Sequence, residues 1–441
     1  MTSAAGASPG SELSGDPYLP THGNGGYRVL HYQLDLDYRV VSNRLAGRAV
    51  ITARASQALS RFSLDLGRFR VQDVRVDGRA ARFEHRPHKL RIKPEKPIGY
   101  GEAFTVEVRY AGKPVPVSGR WGDIGWDELT DGALVASQPN GAPSWFPCND
   151  RPGDKATFLL TVTAPAPYTV VATGDLVTRR RGAGASTWVY ERNEPTAPYL
   201  MSVQVGRYDV VPLATAGPVI QRAAIPPRLR RLFGHDFARH GAIMSALSHL
   251  FGPYPFREYV VVVADDDLDD PIEAQGMAVF GRNHLDGRRT HERLVVHELA
   301  HQWFGNSLTV ADWRHIWLNE GFATYAEWLW SEISGDAPAA AHAARWHAWV
   351  ASQPRGITVA DPGVDRMFDP VVYKRGALTV HALRRRLGDE AFFAFLRSWA
   401  GVNRHGTVTT AQFREHAATF TDARLDDLFT AWLERPALPR L

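Results

Sequence analysis

The hydrophobic periodicity of this chain changes once, near its middle, and that change narrows the available folds more than any other feature. From Tyr27 to about Leu213 apolar and polar residues alternate, as in Tyr32-Gln33-Leu34-Asp35-Leu36-Asp37-Tyr38, Phe62-Ser63-Leu64-Asp65-Leu66 and Phe104-Thr105-Val106-Glu107-Val108-Arg109-Tyr110. Successive side chains of a strand point to opposite faces, so such runs describe half-buried antiparallel strands. Asp77-Gly78, Gly101 and Pro114 punctuate them as turns. Sheets with one apolar face must bury it, which predicts a β-rich domain of sheets packed face to face.

After a loop from Ala214 to Pro227 the spacing becomes helical. Leu229 to Phe251 reads as one helix stopped by Gly252-Pro253-Tyr254-Pro255, and Val260 to Ala264 as a single β-run. From Glu292 onward nearly everything reads as helix: Arg293 to Phe304, Leu318 to Ser331, Ala337 to Ser352, Val372 to Leu387, Glu390 to Trp399, Thr410 to Thr419 and Leu425 to Leu433. The expected class is α+β and multidomain, an antiparallel β domain followed by a mostly α domain with a small strand element at its entrance. At 441 residues the chain is longer than one hydrophobic core organises, in keeping with two domains. No internal repeat is visible.

Composition removes several function classes. Lys+Arg (51) and Asp+Glu (47) nearly balance and are interspersed, so the formal charge of +4 gives no clustered footprint for nucleic acid. One cysteine, Cys148, allows no internal disulfide and reads as a packed apolar residue. Met1 to Pro20 is rich in Ser, Gly, Ala and Pro without a basic start or an apolar core, which predicts a disordered tail over 1–15 and no signal peptide. No apolar run approaches the roughly 18 residues that span a bilayer. A cytoplasmic protein without membrane or nucleic-acid partners is expected, its oligomeric state open and a monomer sufficient.

Within the helical half, His297-Glu298-Leu299-Ala300-His301 sets two imidazoles four residues apart. On an α-helix that is about 40° of rotation and about 6 Å of rise, so both rings reach one ion. Glu298 projects from the same broad face, placed to hold a water without ligating. Glu320, eighteen residues after His301 in Trp317-Leu318-Asn319-Glu320-Gly321-Phe322-Ala323, stands on a second predicted helix. Together these residues make a His₂Glu set, an established catalytic zinc triad that leaves one position open. Ligand type alone also admits Co²⁺ or Mn²⁺. Glu327, seven residues past Glu320, returns to the same helix face and reads either as an acceptor for a ligand histidine or as a solvated carboxylate. The pentapeptide alone also fits an exposed histidine pair with Glu298 a surface partner of Arg293; a third ligand at fixed distance favours the metal.

The runs His297-Glu298-Leu299-Ala300-His301-Gln302-Trp303-Phe304-Gly305-Asn306 and Asn319-Glu320-Gly321-Phe322-Ala323-Thr324-Tyr325-Ala326-Glu327 resemble the M1 family of zinc aminopeptidases. Trp145-Phe146-Pro147-Cys148-Asn149-Asp150, Lys155-Ala156-Thr157-Phe158, Phe251-Gly252-Pro253-Tyr254-Pro255-Phe256 and Val408-Thr409-Thr410-Ala411-Gln412-Phe413 extend the resemblance to about residues 16–435. It implies an N-terminal saddle-shaped β domain over 16–214 and a thermolysin-like catalytic domain over 215–441. Set against the resemblance, the chain is expected to be a short form without the family's C-terminal helical domain. One Zn²⁺ per chain is implied, held by His297, His301 and Glu320, with Glu298 as general base. Tyr373, in Val372-Tyr373-Lys374-Arg375-Gly376-Ala377, matches the family tyrosine that stabilises the oxyanion.

The family's Gly-x-Met-Glu-Asn segment, whose Glu binds the free α-ammonium of a substrate, corresponds here to Asp270-Pro271-Ile272-Glu273-Ala274. Asp-Pro replaces Gly-Ala, Ile the Met and Ala the Asn; the Glu remains as Glu273. Gln138 occupies the place of a second amine contact, Glu320 adds a third, and Gln275 and Met277 are candidates for the first side-chain pocket. The implied partners are peptides with a free N-terminus. Three alternatives stay open: a metallo-endopeptidase, an epoxide hydrolase on the same scaffold, and a non-catalytic scaffold using Arg179-Arg180-Arg181 and Arg384-Arg385-Arg386 as a contact surface.

Overall fold

A computed structural model describes residues 6–213, 219–354 and 356–441. The alternating runs of the first half form three sheets. The largest has eight strands in the order Asp175–Arg181, Ala185–Thr196, Ala156–Pro165, Tyr27–Arg39, Arg44–Ala55, Ala103–Gly112, Arg70–Val76, Arg79–Ala80. One neighbouring pair is parallel, Ala156–Pro165 beside Tyr27–Arg39 with Leu160 opposite Leu34. Tyr32, Leu34, Leu36 and Tyr38 all face inward, and the residues between them are partly or fully exposed. A slip of one residue would turn that whole row to solvent, so the alternation that predicts the strand also fixes its register. A four-stranded sheet containing Leu59–Leu66 and a five-stranded sheet containing Gly132–Ala136 close over the same core, where Tyr32, Phe104, Trp126, Trp145 and Phe158 meet. Cys148 lies fully buried in this core, and burial pushes its thiol well above the usual range.

The disordered tail expected over 1–15 is corrected for 6–15, while 1–5 fall outside the described residues. Ser8–Pro9 pairs with the strand Leu59–Leu66, and Glu12 meets the Arg91 guanidinium at 2.6 Å. Ser11 and Ser14 accept the backbone N–H groups of Leu13 and Asp16 at 3.0 Å each. Hydrogen bonds rather than apolar burial hold this segment, and composition does not register them.

The second half carries nine α-helices among the described residues: α1 (Arg230–Asp236), α2 (His240–Phe251), α3 (Glu292–Ala300), α4 (Trp317–Ile333), α5 (Ala339–Ser352), α6 (Pro370–Leu387), α7 (Asp389–Val402), α8 (Thr410–Ala418) and α9 (Asp426–Phe429). The stretch read as one helix over Leu229 to Phe251 is two. It breaks beyond Asp236, whose carboxylate accepts the backbone N–H groups of Asp286, Gly287 and Arg289. The strand element is also larger than the single run expected. Five strands stand in the order Asp209–Pro212, Ile220–Ile225, Glu258–Ala264, Met277–Gly281, Ile272–Ala274. Ile220–Ile225 and Met277–Gly281 flank Glu258–Ala264 in parallel, and Met277–Gly281 is buried throughout, so no alternation marks it in the sequence. The boundary expected at 214/215 lies outside the described residues.

Several hydrogen bonds join the halves, those of Lys155 and Asp16 among them. Lys155 donates to the carbonyls of Asn306, Ser307 and Gly406 at 3.1, 2.8 and 3.3 Å. Asp16 accepts the backbone N–H of Trp313 at 3.0 Å. Among the described residues no helix is long and apolar enough to cross a membrane.

Candidate active site

The site forms where α3, α4 and α6 meet the edge strand Ile272–Ala274. From Val295 to Ala300 every residue of α3 is buried, so His297 and Glu298 are held by packing. His301 follows at the helix end, its ring centroid 4.8 Å from that of His297. The chain then turns at Gly305 (φ +126°), where a Cβ would stand 3.2 Å from His301 Nδ1. Trp317 to Trp330 of α4 are likewise all buried, which brings Glu320 in its first turn against both histidines.

The donor atoms converge. His297 Nε2 and His301 Nε2 stand 3.6 and 3.5 Å from the same oxygen of Glu320. A tetrahedral centre with bonds of about 2.0–2.1 Å sets neighbouring donors about 3.4 Å apart, so the spacing fits one zinc ion. The outer ring nitrogens are already used: His297 Nδ1 lies 2.8 Å from Glu327 Oε1, and His301 Nδ1 lies 3.1 Å from the Phe304 carbonyl. Those contacts fix each ring with Nε2 turned inward. Arg293 meets Glu327 at 3.6 Å, not Glu298.

Charge points the same way. For the side chains alone, burial would lower both histidines, but Glu320 and Glu327 raise His297 to about 9, and Glu320 and Glu273 raise His301 to about 10. Burial would raise Glu320, but the two imidazoles hold it at about 2. Burial does raise Glu298, to about 7, against the pull of His297 and His301. Its Oε2 is buried with no hydrogen-bond partner among the described residues. Glu273, Glu298, Glu320 and Glu327 thus surround two imidazoles, an excess of negative charge that a divalent cation would partly offset.

Glu273 sits on the edge strand, and its carboxylate, with Glu298 and His301, forms a second group whose atoms lie within 4.8 Å of one another. Burial raises its pKa. Gln138 reaches it from the β domain, donating from Nε2 to Glu273 Oε1 at 2.6 Å. The hairpin bearing Glu273 is tied to the metal helix by two residues to which the sequence reading gave no role. Gln302 Oε1 accepts the Gly276 N–H at 2.7 Å while its Nε2 donates to the carbonyls of Ala274 and Met277; Asn306 Nδ2 donates to the Ala274 carbonyl at 2.9 Å. Both belong to the run that follows the second histidine, and their signal was polarity at fully buried positions.

Two expected pocket residues are corrected. Gln275 is fully buried with Nε2 donating to Thr196 Oγ1 at 2.6 Å, so its amide braces the hairpin against the β domain. Met277 packs with Val171, Tyr208, Ala224, Val262 and Val279, because strand alternation turns it away from the side that Glu273 occupies. Tyr373 lies in the first turns of α6 with its ring nearly parallel to that of His297, at 12° and 6.3 Å between centroids. Burial first, and then Glu320 and Glu273, push its phenol well above the usual range, so it stays a donor.

Residues 238–432 match the Peptidase family M1 domain and residues 28–200 the Peptidase M1 N-terminal domain. The crystal structure of an M1 zinc metallopeptidase from Deinococcus radiodurans superimposes with a TM-score of 0.89, at 31% identity, over 97% of this chain and 98% of that chain. Yeast LTA4 hydrolase shares the fold at TM-score 0.80 and 22% identity, over 94% of this chain and 69% of that one. Aminopeptidase M1 of Arabidopsis thaliana is 24% identical over 331 residues, 70% of this chain but 37% of the plant protein. The chain thus spans just over a third of that relative. Two matched domains in order, with similarity at 31% identity along nearly the whole of a solved two-domain relative, make the chain a member of the M1 family of zinc metallopeptidases.

Proposed function

We propose that the chain is an aminopeptidase that hydrolyses the first peptide bond of peptides with a free N-terminus. The observation that carries this reading is the pair Glu273–Gln138, joined at 2.6 Å and standing beside the His301 end of the metal-ligand set. A carboxylate there meets an α-ammonium, and with Glu320 it fixes the terminus so that only the first peptide bond reaches the metal. An endopeptidase would need that space for further residues. Ile272–Ala274 is the edge strand of its sheet, the position at which an extended peptide can align alongside Glu273.

His297, His301 and Glu320 would hold zinc, which when bound supplies Lewis acidity, polarising a carbonyl and acidifying water. Glu298, buried beside both histidines with one carboxylate oxygen unpartnered among the described residues, is placed to accept a proton from water and return it to the leaving amine. Tyr373 donates its phenol hydrogen to the oxygen on which negative charge develops. A single buried cysteine is compatible with work in the reducing cytoplasm.

The test compares matched peptides with free and acetylated N-termini on the zinc-loaded protein. Chelator-sensitive cleavage confined to the free form is expected; equal rates on both would overturn the exopeptidase assignment.

A further inference from the structure

Two groups of side chains at the site have the spacing of metal ligands, and His301 belongs to both: His297, His301 and Glu320 form one, Glu273, Glu298 and His301 the other. One ion on the first group takes up both imidazoles and Glu320. Glu273 and Glu298 are then left side by side. Neither has an Arg or Lys partner within ion-pair distance among the described residues, whereas Glu327 is met by Arg293 at 3.6 Å. Zinc joined to Glu320 keeps a single net positive charge against these two carboxylates, so a surplus of negative charge stays on the side of the site that Glu273 occupies.

The two carboxylates are disposed to receive a cation. Glu298 is 4% exposed, and its Oε2 has no hydrogen-bond partner among the described residues. A buried anionic oxygen without a donor is costly, and a cation beside it removes that cost. On Glu273, Gln138 occupies Oε1 from the β domain and leaves the other oxygen to a ligand. The ligand atoms of Glu273, Glu298 and His301 lie within 4.8 Å of one another. Zinc–oxygen bonds of about 2.0–2.2 Å bring two carboxylate oxygens to within about 4.4 Å, a change that a small rotation of either carboxylate supplies. Sharing of His301 between the groups makes two bound ions neighbours, as in two-metal sites, where the ions stand about 3.5–4 Å apart.

We propose that Glu273 and Glu298 bind a second zinc ion beside the first when free zinc is high, and that this ion inhibits by taking the carboxylate that the substrate's α-ammonium needs. The inference rests on the aminopeptidase reading and names a regulation of the same site. An ammonium brings Glu273 a single positive charge, whereas a zinc ion brings a double charge and bonds Glu298 as well, so the two compete. Engaging Glu298 also removes the proton acceptor. With only two protein ligands, both oxygen, the second ion is held more loosely than the first, whose set includes two imidazoles. At low free zinc the site therefore keeps one ion and stays open to a peptide.

The experiment measures zinc per chain by equilibrium dialysis against buffered free zinc and, over the same range, kcat and KM for cleavage of a leucyl fluorophore. In the wild type, bound zinc should rise from one to two per chain while KM rises and kcat stays constant, because saturating substrate displaces the second ion. Glu273→Gln and Glu298→Gln should each keep the first zinc and bind the second at least about tenfold more weakly, since losing even an outer-shell partner of a metal costs that much. Glu298→Gln is read by stoichiometry alone. Retention of the first zinc reports that a variant has folded; should a variant lose it, the competitive pattern on the wild type decides. No cleavage at one zinc per chain would defeat the aminopeptidase reading itself. Three results would overturn only this inference: an active protein that holds one ion at every zinc concentration, a second ion retained equally in both variants, or inhibition that lowers kcat at constant KM.

Discussion

The geometry between Glu320 and Tyr373 depends on two glycines, and replacing one of them should separate positioning from metal binding. α4 and α6 cross at Gly321 and Gly376, where a Cβ added to Gly376 would stand 2.9 Å from the Gly321 Cα. Ordinary carbon contacts lie at about 3.5–4.0 Å, so Gly376→Ala must move the helices apart by about 0.6–1 Å. Overpacking of this kind costs about 1–3 kcal/mol, offset by about 1 kcal/mol of better helix propensity, leaving a net loss of about 0–2 kcal/mol. The larger effect is on turnover. Tyr373 lies three residues before Gly376, on the same face of α6, and shifts with it. A misplacement near 1 Å costs about a hundredfold in rate. Zinc content should stay at one per chain, since the ligands lie on α3, α4 and the turn after α3. Turnover of a leucyl fluorophore, bound zinc and thermal midpoint would be measured together, with Gly401→Ala as the control because a Cβ there meets nothing within 4 Å. Wild-type turnover in Gly376→Ala would refute the reasoning, and joint loss of zinc and activity would show that the crossing positions the metal instead.

Two other substitutions probe the ligand set itself. Glu298→Gln should keep zinc and fold while turnover falls about 10²–10⁴-fold, because the amide cannot take the proton; near-normal turnover would remove Glu298 from the mechanism. Glu327→Ala should weaken zinc binding about 10–100-fold in competition with a chromophoric chelator, since His297 loses the acceptor that orients it. Unaltered affinity would reduce Glu327 to an ordinary helix carboxylate.

What the sequence revealed and what it hid follow from the range of each interaction. The alternating strands were legible because Tyr32, Leu34, Leu36 and Tyr38 obey a local rule that burial then enforces. The convergence of His297, His301 and Glu320 was legible for a similar reason: four residues along a helix is a fixed distance in space, and Glu320 follows at a spacing that the resemblance reads directly. The strand Met277–Gly281 was hidden because a segment buried on both faces carries no alternation. That concealment also misplaced Gln275 and Met277, whose neighbours Thr196 and Val171 come from the distant β domain. The crossing of α4 and α6 was invisible too, as a glycine in Glu320-Gly321 does not announce that another from Lys374-Arg375-Gly376 will lie against it.

The hairpin around Glu273 is anchored through groups that do not depend on the identity of its side chains. Ala274 stands where the resemblance has an Asn, yet what anchors the hairpin there is the Ala274 carbonyl, which accepts from both Gln302 and Asn306. Gly276 contributes its N–H to Gln302 from a left-handed turn, φ +78°. These are backbone groups, available from almost any residue, so replacing Met by Ile272 and Asn by Ala274 leaves the attachment intact. The side chains that make the attachment belong to the other partner. Gln302 and Asn306 extend directly from the second zinc histidine, and the Asn306 N–H itself bonds to the His301 carbonyl at 3.0 Å. The spacing between His301 and Glu273 is therefore set from α3 outward, through the side chains of Gln302 and Asn306.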